Sequence, residues 1–410
     1  MLSRRQFLNL AASSTFYALP AWLPRLSFAP ENTAPRGDAL VCIFLRGAAD
    51  TLNIVVPHGE QEYYNLRPTL GIPRPDDIRA RTDLRVRDLD GFFGLHPALA
   101  PLLPAWQDKA LAVVHACGAP DESRSHFQAM ELMERGVAVA AGPASGWIGR
   151  HLATLDTGNH SPLRAIGLGE RVPRMLYGPV PASALHSIAD FHLNGDPRAV
   201  AGMQSALTAL YQEGDLLGQT GRGTLDILRT LAQLDPAQYV PAKGIQYPAT
   251  EFGLGLKQVA MLVKAEVGLE VACLDLGGWD THIAQGASEG SLANLLQELG
   301  QGLAALYADL HAPAQRLLVV ILSEFGRRAQ ENGALGTDHG HGSAMLLMGR
   351  GIAGGRVHGQ WPGLAPEQLV GPGDLAVTTD YRDILGELLQ KRLQNPHLDQ
   401  VLPDYQPRFI

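Results

Sequence analysis

Three apolar segments in the last third of the chain adjoin glycine-rich turns that carry histidines and carboxylates. Val271–Leu276 leads into GGWDTH, Leu317–Leu322 leads into SEFGR, and TDHGHG precedes the apolar residues 344–348. Short apolar runs bounded by glycine turns are typical of strands that are buried on both faces of an α/β sheet. Because ligands bind at the carboxyl ends of the strands in such sheets, these turns are the first candidates for a functional site.

The order of strand and helix patterns predicts that this sheet is largely parallel. Leucines recur at helical spacing between the strand-like runs 270–276 and 316–322, and Ala39–Leu45 is a further strand-like run. A strand–helix–strand unit makes a right-handed crossover between parallel strands. We therefore predict an α/β fold with a mixed, largely parallel central sheet flanked by helices, in which Asp280 and Glu324 lie at the same edge.

Composition and charge exclude some classes of protein. The chain has 410 residues, of which 46% are hydrophobic and 18% charged, which predicts a sizeable core in one large α/β domain or two smaller ones. A formal charge of −8 argues against nucleic-acid binding, which favours basic surfaces. Cys42, Cys117 and Cys273 lie in apolar runs without a CxxC pair, so we expect buried thiols rather than disulfides or thiolate zinc sites.

Residues 1–29 have the pattern of an export signal. The twin-arginine motif SRRQFL is followed by a weakly apolar stretch and by Ser27-Phe28-Ala29, a small-x-small cleavage site. Elsewhere the sequence has no run approaching the about 18 apolar residues of a membrane span. We therefore expect export through the twin-arginine translocon and cleavage that leaves no stable transmembrane anchor. The mature domain, 30–410, is then periplasmic or at the cell surface.

Two helical regions have more than one interpretation. The segment 190–265 is predicted to be mainly helical, as a layer of the same domain or as an inserted cap. A second helix, His126–Arg135, follows the strand-like run 110–115, and Ser125 and Gln128 have the spacing of a capping box at its start. Because a helix N-terminus also favours anions, Ser125 is alternatively a nucleophile beside the anionic group of a substrate.

Aspartates and histidines of the turns are the residue types that hold divalent metal ions. The candidate ligands are Asp50, Asp280, His282, Asp338, His339 and His341. A set of this size suits two ions about 3.5–4 Å apart, which stabilise the attacking and leaving oxygens of a displacement. Zn, Mn, Mg and Ca each suit some of these ligands. Glu324 is a ligand, a residue that orients a histidine, or a general acid or base.

Other polar residues are predicted to bind the substrate or to have structural roles. Arginines bind phosphate and sulfate through forked hydrogen bonds, and the candidates are Arg46, Arg124, Arg150 and Arg327. Four remaining histidines are interpreted as structural, namely His96, His126, His151 and His358. The alternative for all the turns is that they are hydrogen-bonded and bind no metal. A serine-hydrolase interpretation is weaker, because the sequence has no G-x-S-x-G elbow after a strand.

Ordered sequence blocks resemble the DUF1501 family of exported bacterial proteins. After the twin-arginine start, the blocks are LRGAADTLNIVVP, YYNLRPTLGIP, SRSHF, GGWDTH, SEFGR, TDHGHG and GGRVHGQWPGL, which span essentially the whole mature chain. The resemblance implies the alkaline-phosphatase-like superfamily, which includes sulfatases and cofactor-independent phosphoglycerate mutases. It therefore implies that superfamily's largely parallel sheet, with a two-metal centre at the strand ends.

The resemblance also implies roles for individual residues. The superfamily's first-strand metal aspartate matches Asp50, and its nucleophile matches Ser125 best and Ser123 second. The later metal ligands match Asp280, His282, Asp338, His339 and His341. Two features depart from the superfamily's pattern. One residue separates Asp280 from His282 where three are common, and SRSHF lacks both the Asp-Ser of phosphatases and the Cys-x-Pro-x-Arg of sulfatases.

Taken together, these patterns predict an exported, metal-dependent hydrolase of phosphate or sulfate esters. The predicted catalytic residues are Ser125 and Glu324, and the predicted substrate-binding residues are Arg46, Arg124, Arg327 and Asn53. Two alternatives stay open. One is a non-catalytic envelope protein on the same scaffold that binds a metal or an anionic glycan, and the other is a structural envelope protein without metal.

Overall fold

The computed structural model describes residues 38–189, 191–193, 195–212, 215–234, 238–310 and 316–409. The predicted export signal, residues 1–29, lies outside the described residues. Among the helices of the described ranges, none is both long enough and apolar enough to cross a membrane.

Strands and helices alternate along most of the chain. The strands are β1 (Ala39–Leu45), β2 (Val55–Val56), β3 (Arg87–Asp88), β4 (Gly94–Leu95), β5 (Leu111–Gly118), β6 (Ala165–Leu168), β7 (Ser183–Leu185), β8 (Val271–Leu276), β9 (Leu317–Leu322), β10 (Ser343–Met348), β11 (Val357–His358) and β12 (Thr379–Asp380). The α-helices are α1 (Thr51–Ile54), α2 (Gln61–Leu66), α3 (Leu103–Gln107), α4 (His126–Arg135), α5 (Trp147–Thr154), α6 (Pro197–Leu210), α7 (Leu216–Leu234), α8 (Glu251–Lys264), α9 (Ser291–Asp309), α10 (Tyr381–Lys391) and α11 (Leu398–Val401). Short 3₁₀ helices span Thr82–Leu84, Pro97–Leu102 and Arg174–Leu176.

The central sheet is mixed and largely parallel. Its order is β11-β5-β10-β9-β1-β8-β6-β7, with β12 also paired to β5. The strand β1 pairs in parallel with β8 and β9, whereas β10 is antiparallel to both of its neighbours, β5 and β9. A small second sheet has the order β2-β4-β3. The α/β fold with a mixed, largely parallel sheet flanked by helices is therefore confirmed.

The continuous apolar sequence of β1 is explained by cores on both faces of the sheet. Val41 and Ile43 belong to one apolar cluster, and Leu40, Cys42 and Phe44 belong to a second. Because successive side chains of a strand point to opposite faces, a central strand that is covered on both sides has no polar face. All seven residues of β1 are buried.

Helices cover each of these two faces. The leucines of α9, including Leu292, Leu299 and Leu306, pack into the first cluster, and Ile384 and Leu389 of α10 pack into the second. The segment 190–265 contains α6, α7 and α8, and Ile227 and Leu231 of α7 join the first cluster. The described part of this segment therefore packs onto the same core as the sheet.

Several predicted elements are confirmed at or near their predicted bounds. The strand Ala39–Leu45 and the helix His126–Arg135 have the predicted bounds, and the crossover strands β8 and β9 are parallel to each other. They are not adjacent, because β1 lies between them. Cys42, Cys117 and Cys273 are free and buried, as predicted.

Candidate metal-binding site

Five loops meet at the carboxyl edge of the parallel strands. Residues 46–50 follow β1, 277–282 follow β8, 323–328 follow β9, and 119–125 lead from β5 to α4. Because β10 is antiparallel, the loop that precedes it, 337–342, lies at this same edge. The topology therefore brings together the turns that the sequence singled out.

The loops after β9 and before β10 are joined by backbone hydrogen bonds. Gly326 N–H donates to His341 O at 2.9 Å, Gly340 N–H donates to Gly326 O at 2.8 Å, and Arg328 N–H donates to Asp338 O at 2.9 Å. A Cβ on Gly326 would lie 1.8 Å from Gly342 O, so a side chain is sterically impossible there. This close approach holds the carboxylate of Glu324 and the ring of His339 in one rigid unit.

Three imidazole nitrogens surround one carboxylate oxygen at this edge. From Asp280 Oδ1, the Nε2 atoms of His282, His339 and His126 lie at 3.0, 3.1 and 3.5 Å. His282 Nε2 and His339 Nε2 are themselves 3.0 Å apart. We call these four residues the His/Asp centre.

The other nitrogen of each ring faces an oxygen atom that acts only as an acceptor. The pairs are His126 Nδ1 with Glu324 Oε1 at 2.8 Å, His339 Nδ1 with the carbonyl of Arg124 at 3.0 Å, and His282 Nδ1 with Asp338 Oδ1 at 3.2 Å. Both nitrogens of each ring thus face an acceptor, and in a ring that binds a metal through Nε2 the proton is carried by Nδ1. Histidines that bind a metal are oriented in this way, by acceptors on the opposite ring nitrogen.

The donor set fits a divalent cation. Ligand atoms of His126, Asp280 and His339 all lie within 4.8 Å of one another. His282 Nε2 adjoins this group, and His126 Nε2 is buried without a hydrogen-bond partner among the described residues. Two ligands with bonds of about 2.0–2.1 Å are about 3.3 Å apart in tetrahedral geometry, close to the observed 3.0–3.5 Å.

Arg327 holds Asp280 in place and keeps it ionised. Its guanidinium is fully buried and donates to Asp280 Oδ1 at 2.7 Å and to the carbonyls of Ala48 and Thr337 at 2.6 and 2.8 Å. Partial burial opposes ionisation, but the hydrogen bond from Arg327 outweighs it and the pKa of Asp280 falls to about 2. Burial lowers the pKa of His339 below its usual value despite the Asp280 carboxylate. Both side chains are thus in the protonation state of a metal ligand at neutral pH.

Glu324 lies behind His126 as its orienting carboxylate. Its fully buried side chain accepts hydrogen bonds from His126 Nδ1 at 2.8 Å, Gly47 N–H at 2.9 Å and Ser323 Oγ at 3.0 Å. Of the three roles that the sequence left open, these contacts match the orientation of a histidine.

Asp50 is placed apart from the His/Asp centre. Arg67 donates to both of its carboxylate oxygens, at 2.6 and 2.9 Å, and Gln285 Nε2 donates to Oδ2 at 2.7 Å. Asp50 and Arg67 are both completely buried. The prediction that Asp50 binds a metal stays a prediction, and in this structure its oxygens accept hydrogen bonds from Arg67 and Gln285.

His341 and Asp338 lie outside the centre as well. His341 Nε2 is 2.9 Å from the carbonyl of Ala119, which ties the loop before β10 to the loop after β5. Asp338 accepts from His282 Nδ1 and from Asn332 Nδ2, and the hydrogen bond from Asn332 lowers its pKa. Both residues position neighbours of the centre rather than joining its convergent atoms.

The predicted substrate-binding residues are engaged within the protein. Arg46 pairs with Glu134 and Asp275 at 3.0 and 2.7 Å, and Arg124 pairs with the buried carboxylate of Asp374. The other two are buried, Arg327 against Asp280 and backbone carbonyls, Asn53 against Tyr63, Arg67 and Leu70 O. Arg150, a further candidate, binds the carbonyl of Val401 in the second core. Arg124 alone of the predicted four has a side chain about one-third exposed beside the centre.

Ser125 occupies the N-cap position of α4 but does not cap it with its side chain. The predicted capping box is not formed, since Gln128 Nε2 donates to Asp121 at 3.4 Å and Ser125 N–H donates to Ser123 Oγ at 3.2 Å. The Ser125 side chain is exposed, directly before the centre's His126.

His126 lies in the His/Asp centre, although the sequence interpretation assigned it a structural role. Its ring stacks on buried Phe325 and lies 4.3 Å from the ring of His339, centroid to centroid. The available signal was its position as the first residue of a helix that follows a central strand. His96, His151 and His358 bind Ala287 O, Asn395 and Ala353 O, in agreement with structural roles.

Comparison with known families assigns the chain to one of them. The family described as Protein of unknown function (DUF1501) matches residues 38–393. The chain belongs to the DUF1501 family. No curated protein matches it.

Several solved structures are similar to this DUF1501 chain at low identity. The C-terminal periplasmic domain of EcEptC from Escherichia coli, in complex with Zn, is 9% identical, with 78% of this chain and 75% of that chain covered and a TM-score of 0.32. A protein in the alkaline phosphatase superfamily from Vibrio parahaemolyticus is 10% identical, with 80% and 63% covered and a TM-score of 0.33. Ps i-CgsB in complex with k-i-k-neocarrahexaose is 11% identical, with 90% and 74% covered and a TM-score of 0.35.

Proposed function

We propose that this DUF1501 protein is a metal-dependent hydrolase of phosphate or sulfate esters whose metal ligands are His126, Asp280, His282 and His339. The observation that carries the proposal is the placement of three imidazole Nε2 atoms around Asp280 Oδ1, with His126 Nε2 buried and unpartnered among the described residues. A bound divalent ion would supply a Lewis acid that neutralises charge on the oxygens of the ester.

The donor set favours one zinc ion. Mg²⁺ and Ca²⁺ take mainly oxygen ligands, whereas imidazole nitrogens suit Zn²⁺. The sequence predicted two ions; among the described residues one group has the spacing of metal ligands, His126, Asp280 and His339, and His282 adjoins it. Asp280 and His282 have half- and one-third-exposed side chains, so a ligand can reach the centre from solvent. Catalytic zinc sites keep such an open position.

Positive groups beside the centre suit an anionic ester. The first N–H groups of a helix have no partner within the helix and favour anions, and α4 begins at the centre's His126. The guanidinium groups of Arg124 and Arg328 adjoin the same loops. Ser125 remains the proposed nucleophile, since its exposed hydroxyl stands at the start of α4. Its oxygen would attack phosphorus or sulfur, and the alcohol would leave with the proton of the Ser125 hydroxyl. Water would then attack the phosphorylated or sulfated Ser125, releasing phosphate or sulfate and restoring the hydroxyl.

The test combines metal analysis with turnover. We expect about one zinc per chain in the wild type and none after Asp280→Ala or His282→Ala, together with loss of hydrolysis of p-nitrophenyl phosphate or sulfate. The matched control is His341→Ala, whose ring binds the carbonyl of Ala119 outside the centre and should leave the zinc content unchanged. A folded wild type that binds no metal when supplied with zinc contradicts the proposal.

A second candidate function is metal binding without catalysis. It is favoured by Ser125, whose side chain makes no capping hydrogen bond at the start of α4. It predicts full zinc occupancy without turnover across phosphate and sulfate esters, and no phosphorylated or sulfated Ser125 in acid-quenched protein by mass spectrometry. Binding of an anionic glycan to the occupied centre would then be the activity to measure.

We also propose export through the twin-arginine translocon, supported by the SRRQFL motif and Ser27-Phe28-Ala29. Replacing Arg4 and Arg5 by lysine should retain the precursor in the cytoplasm, whereas lysine at Arg25 should not. Cell fractionation with an antibody against the mature chain distinguishes these results, and export of the twin-lysine variant would contradict this route.

A further inference from the structure

Large apolar side chains are exposed on the loops that carry the His/Asp centre. Phe127 follows His126 and is 85% exposed, and Ile283 follows His282 and is 74% exposed. Leu335, in the loop that leads to His339, is 51% exposed. Phe127 therefore lies at the start of α4 next to His126, and Ile283 and Leu335 lie on the loops that carry His282 and His339. We call these three residues the apolar rim.

The rim beside His282 is held in an ordered turn. Ala284 N–H donates to Ala334 O at 3.0 Å and Gln285 N–H donates to Leu335 O at 2.9 Å, so Ile283 and Leu335 lie on paired segments. Asn332 Nδ2 donates to His282 O at 3.0 Å and to Asp338 at 3.0 Å, which links this turn to the centre. The same network of hydrogen bonds therefore positions these two apolar side chains and the proposed metal ligands.

Leu335 is exposed in an unfavourable backbone conformation. Its φ is +58°, and Ala284, which pairs with the neighbouring residue, has a φ of +48°. A side chain larger than glycine is strained in this left-handed region, and such strain is concentrated at functional sites. Exposure of the Leu335 side chain to water costs free energy, and contact with an apolar ligand would offset that cost.

We infer that the ester carries an alkyl or aryl group on its alcohol side, and that this group lies against the apolar rim while its anionic head binds at the His/Asp centre. The inference rests on the proposed function. The surface matches such a ligand in two parts. The metal-loaded His/Asp centre and the guanidinium of Arg328 suit the anionic head, and the three side chains of the apolar rim suit the alkyl or aryl group. Each buried methylene increases affinity about fourfold, so a chain only partly buried on the rim should bind at least about tenfold more tightly than a methyl group.

The experiment compares methyl phosphate with octyl phosphate, and methyl sulfate with octyl sulfate, binding to zinc-loaded full chain by calorimetry below the micelle concentration. The rim variant is Phe127→Ser with Ile283→Ser and Leu335→Ser. The control variant changes three exposed apolar residues elsewhere, Val139→Ser, Val240→Ser and Leu254→Ser. We expect octyl esters to bind at least about tenfold more tightly than methyl esters in the wild type and the control, and about equally to methyl esters in the rim variant.

Leu335→Gly provides a test that does not depend on the triple variant folding. Glycine adopts a φ of +58° without strain, so the melting temperature should stay equal or rise while the affinity for octyl esters falls severalfold. Equal affinities for methyl and octyl esters in the wild type overturn the inference and leave the proposed function intact. Absence of binding by any ester overturns both. Loss of binding to anionic lipid vesicles in the rim variant, with octyl affinity unchanged, overturns the inference in favour of a membrane-docking rim.

Discussion

Asp50 and Asp280 follow neighbouring parallel strands, β1 and β8, yet their surroundings differ completely. Asp50 is fully buried, and hydrogen-bond donors from Arg67 and Gln285 satisfy both of its oxygens. Asp280 is about half exposed, and the Nε2 atoms of three histidines lie around its Oδ1, which also accepts a hydrogen bond from Arg327. The first carboxylate is paired with a buried arginine, whereas the second lies among groups that could hold a metal ion.

The comparison shows that a metal ligand is identified by its partners rather than by its residue type or strand position. A buried carboxylate needs donors or a cation because an isolated buried charge is costly. Arg67 supplies a forked donor to Asp50, which pairs the buried carboxylate with a buried cation. Asp280 receives one arginine hydrogen bond and retains room for a metal.

We expect the largest loss of stability from substitution of Asp50. Asp50→Ala leaves the buried Arg67 guanidinium without its carboxylate, and breaking such a buried pair costs about 3–5 kcal/mol. Urea unfolding of the apo protein measures this loss. Asp280→Ala is the matched control, and its half-exposed side chain predicts a smaller loss in the apo state. An Asp50→Ala protein that is as stable as the wild type but binds no zinc would restore Asp50 as a ligand.

Zinc should stabilise the protein only by binding at the His/Asp centre, which contains Asp280 and not Asp50. At a free zinc concentration 100 times Kd, binding to the folded state alone adds about 2.7 kcal/mol to the free energy of unfolding. We expect the melting temperature of the wild type to rise with zinc and to fall again with EDTA. His282→Ala should show neither change. A wild-type melting temperature that ignores both additions favours the structural interpretation without metal.

Glu324→Gln tests whether the buried acceptor behind His126 matters to the metal. Partners of this kind typically change metal affinity by about 10–100-fold, and we expect a loss within that range by competition with a zinc-binding dye. Cobalt substitution should also shift the visible spectrum, because the orientation of His126 changes. Unchanged affinity and spectrum would show that Glu324 has no orienting role.

Asp338→Asn should have the smallest effect. Asp338 is also an acceptor for a histidine of the centre, but its side chain is 43% exposed and lies 3.2 Å from His282 Nδ1, whereas Glu324 is fully buried and lies 2.8 Å from His126. Water can replace an exposed acceptor, so we expect a loss of zinc affinity of less than about tenfold. A loss larger than that of Glu324→Gln would reverse the ranking of the two acceptors.

Local sequence patterns were sufficient for the elements that frame the site. The apolar run of β1 and the helix His126–Arg135 were predicted within their observed bounds, because strand burial and helix start signals are written in neighbouring residues. The turns around Asp280 and His339 were also recognised as lying at strand ends. The position of β1 between β8 and β9 was not, since the order of strands in a sheet depends on long-range packing.

By itself, the sequence determined which segments form strands and helices, and that acidic and histidine-bearing turns lie at the carboxyl edge of a parallel sheet. Only the tertiary structure decided which of those side chains converge. Arg67 pairs with Asp50, and the ring of His341 binds the carbonyl of Ala119. His126, the first residue of α4, lies beside Asp280. The reason is physical: the role of an ionisable side chain depends on the donors and acceptors within a few ångströms, and residues distant in the chain supply them.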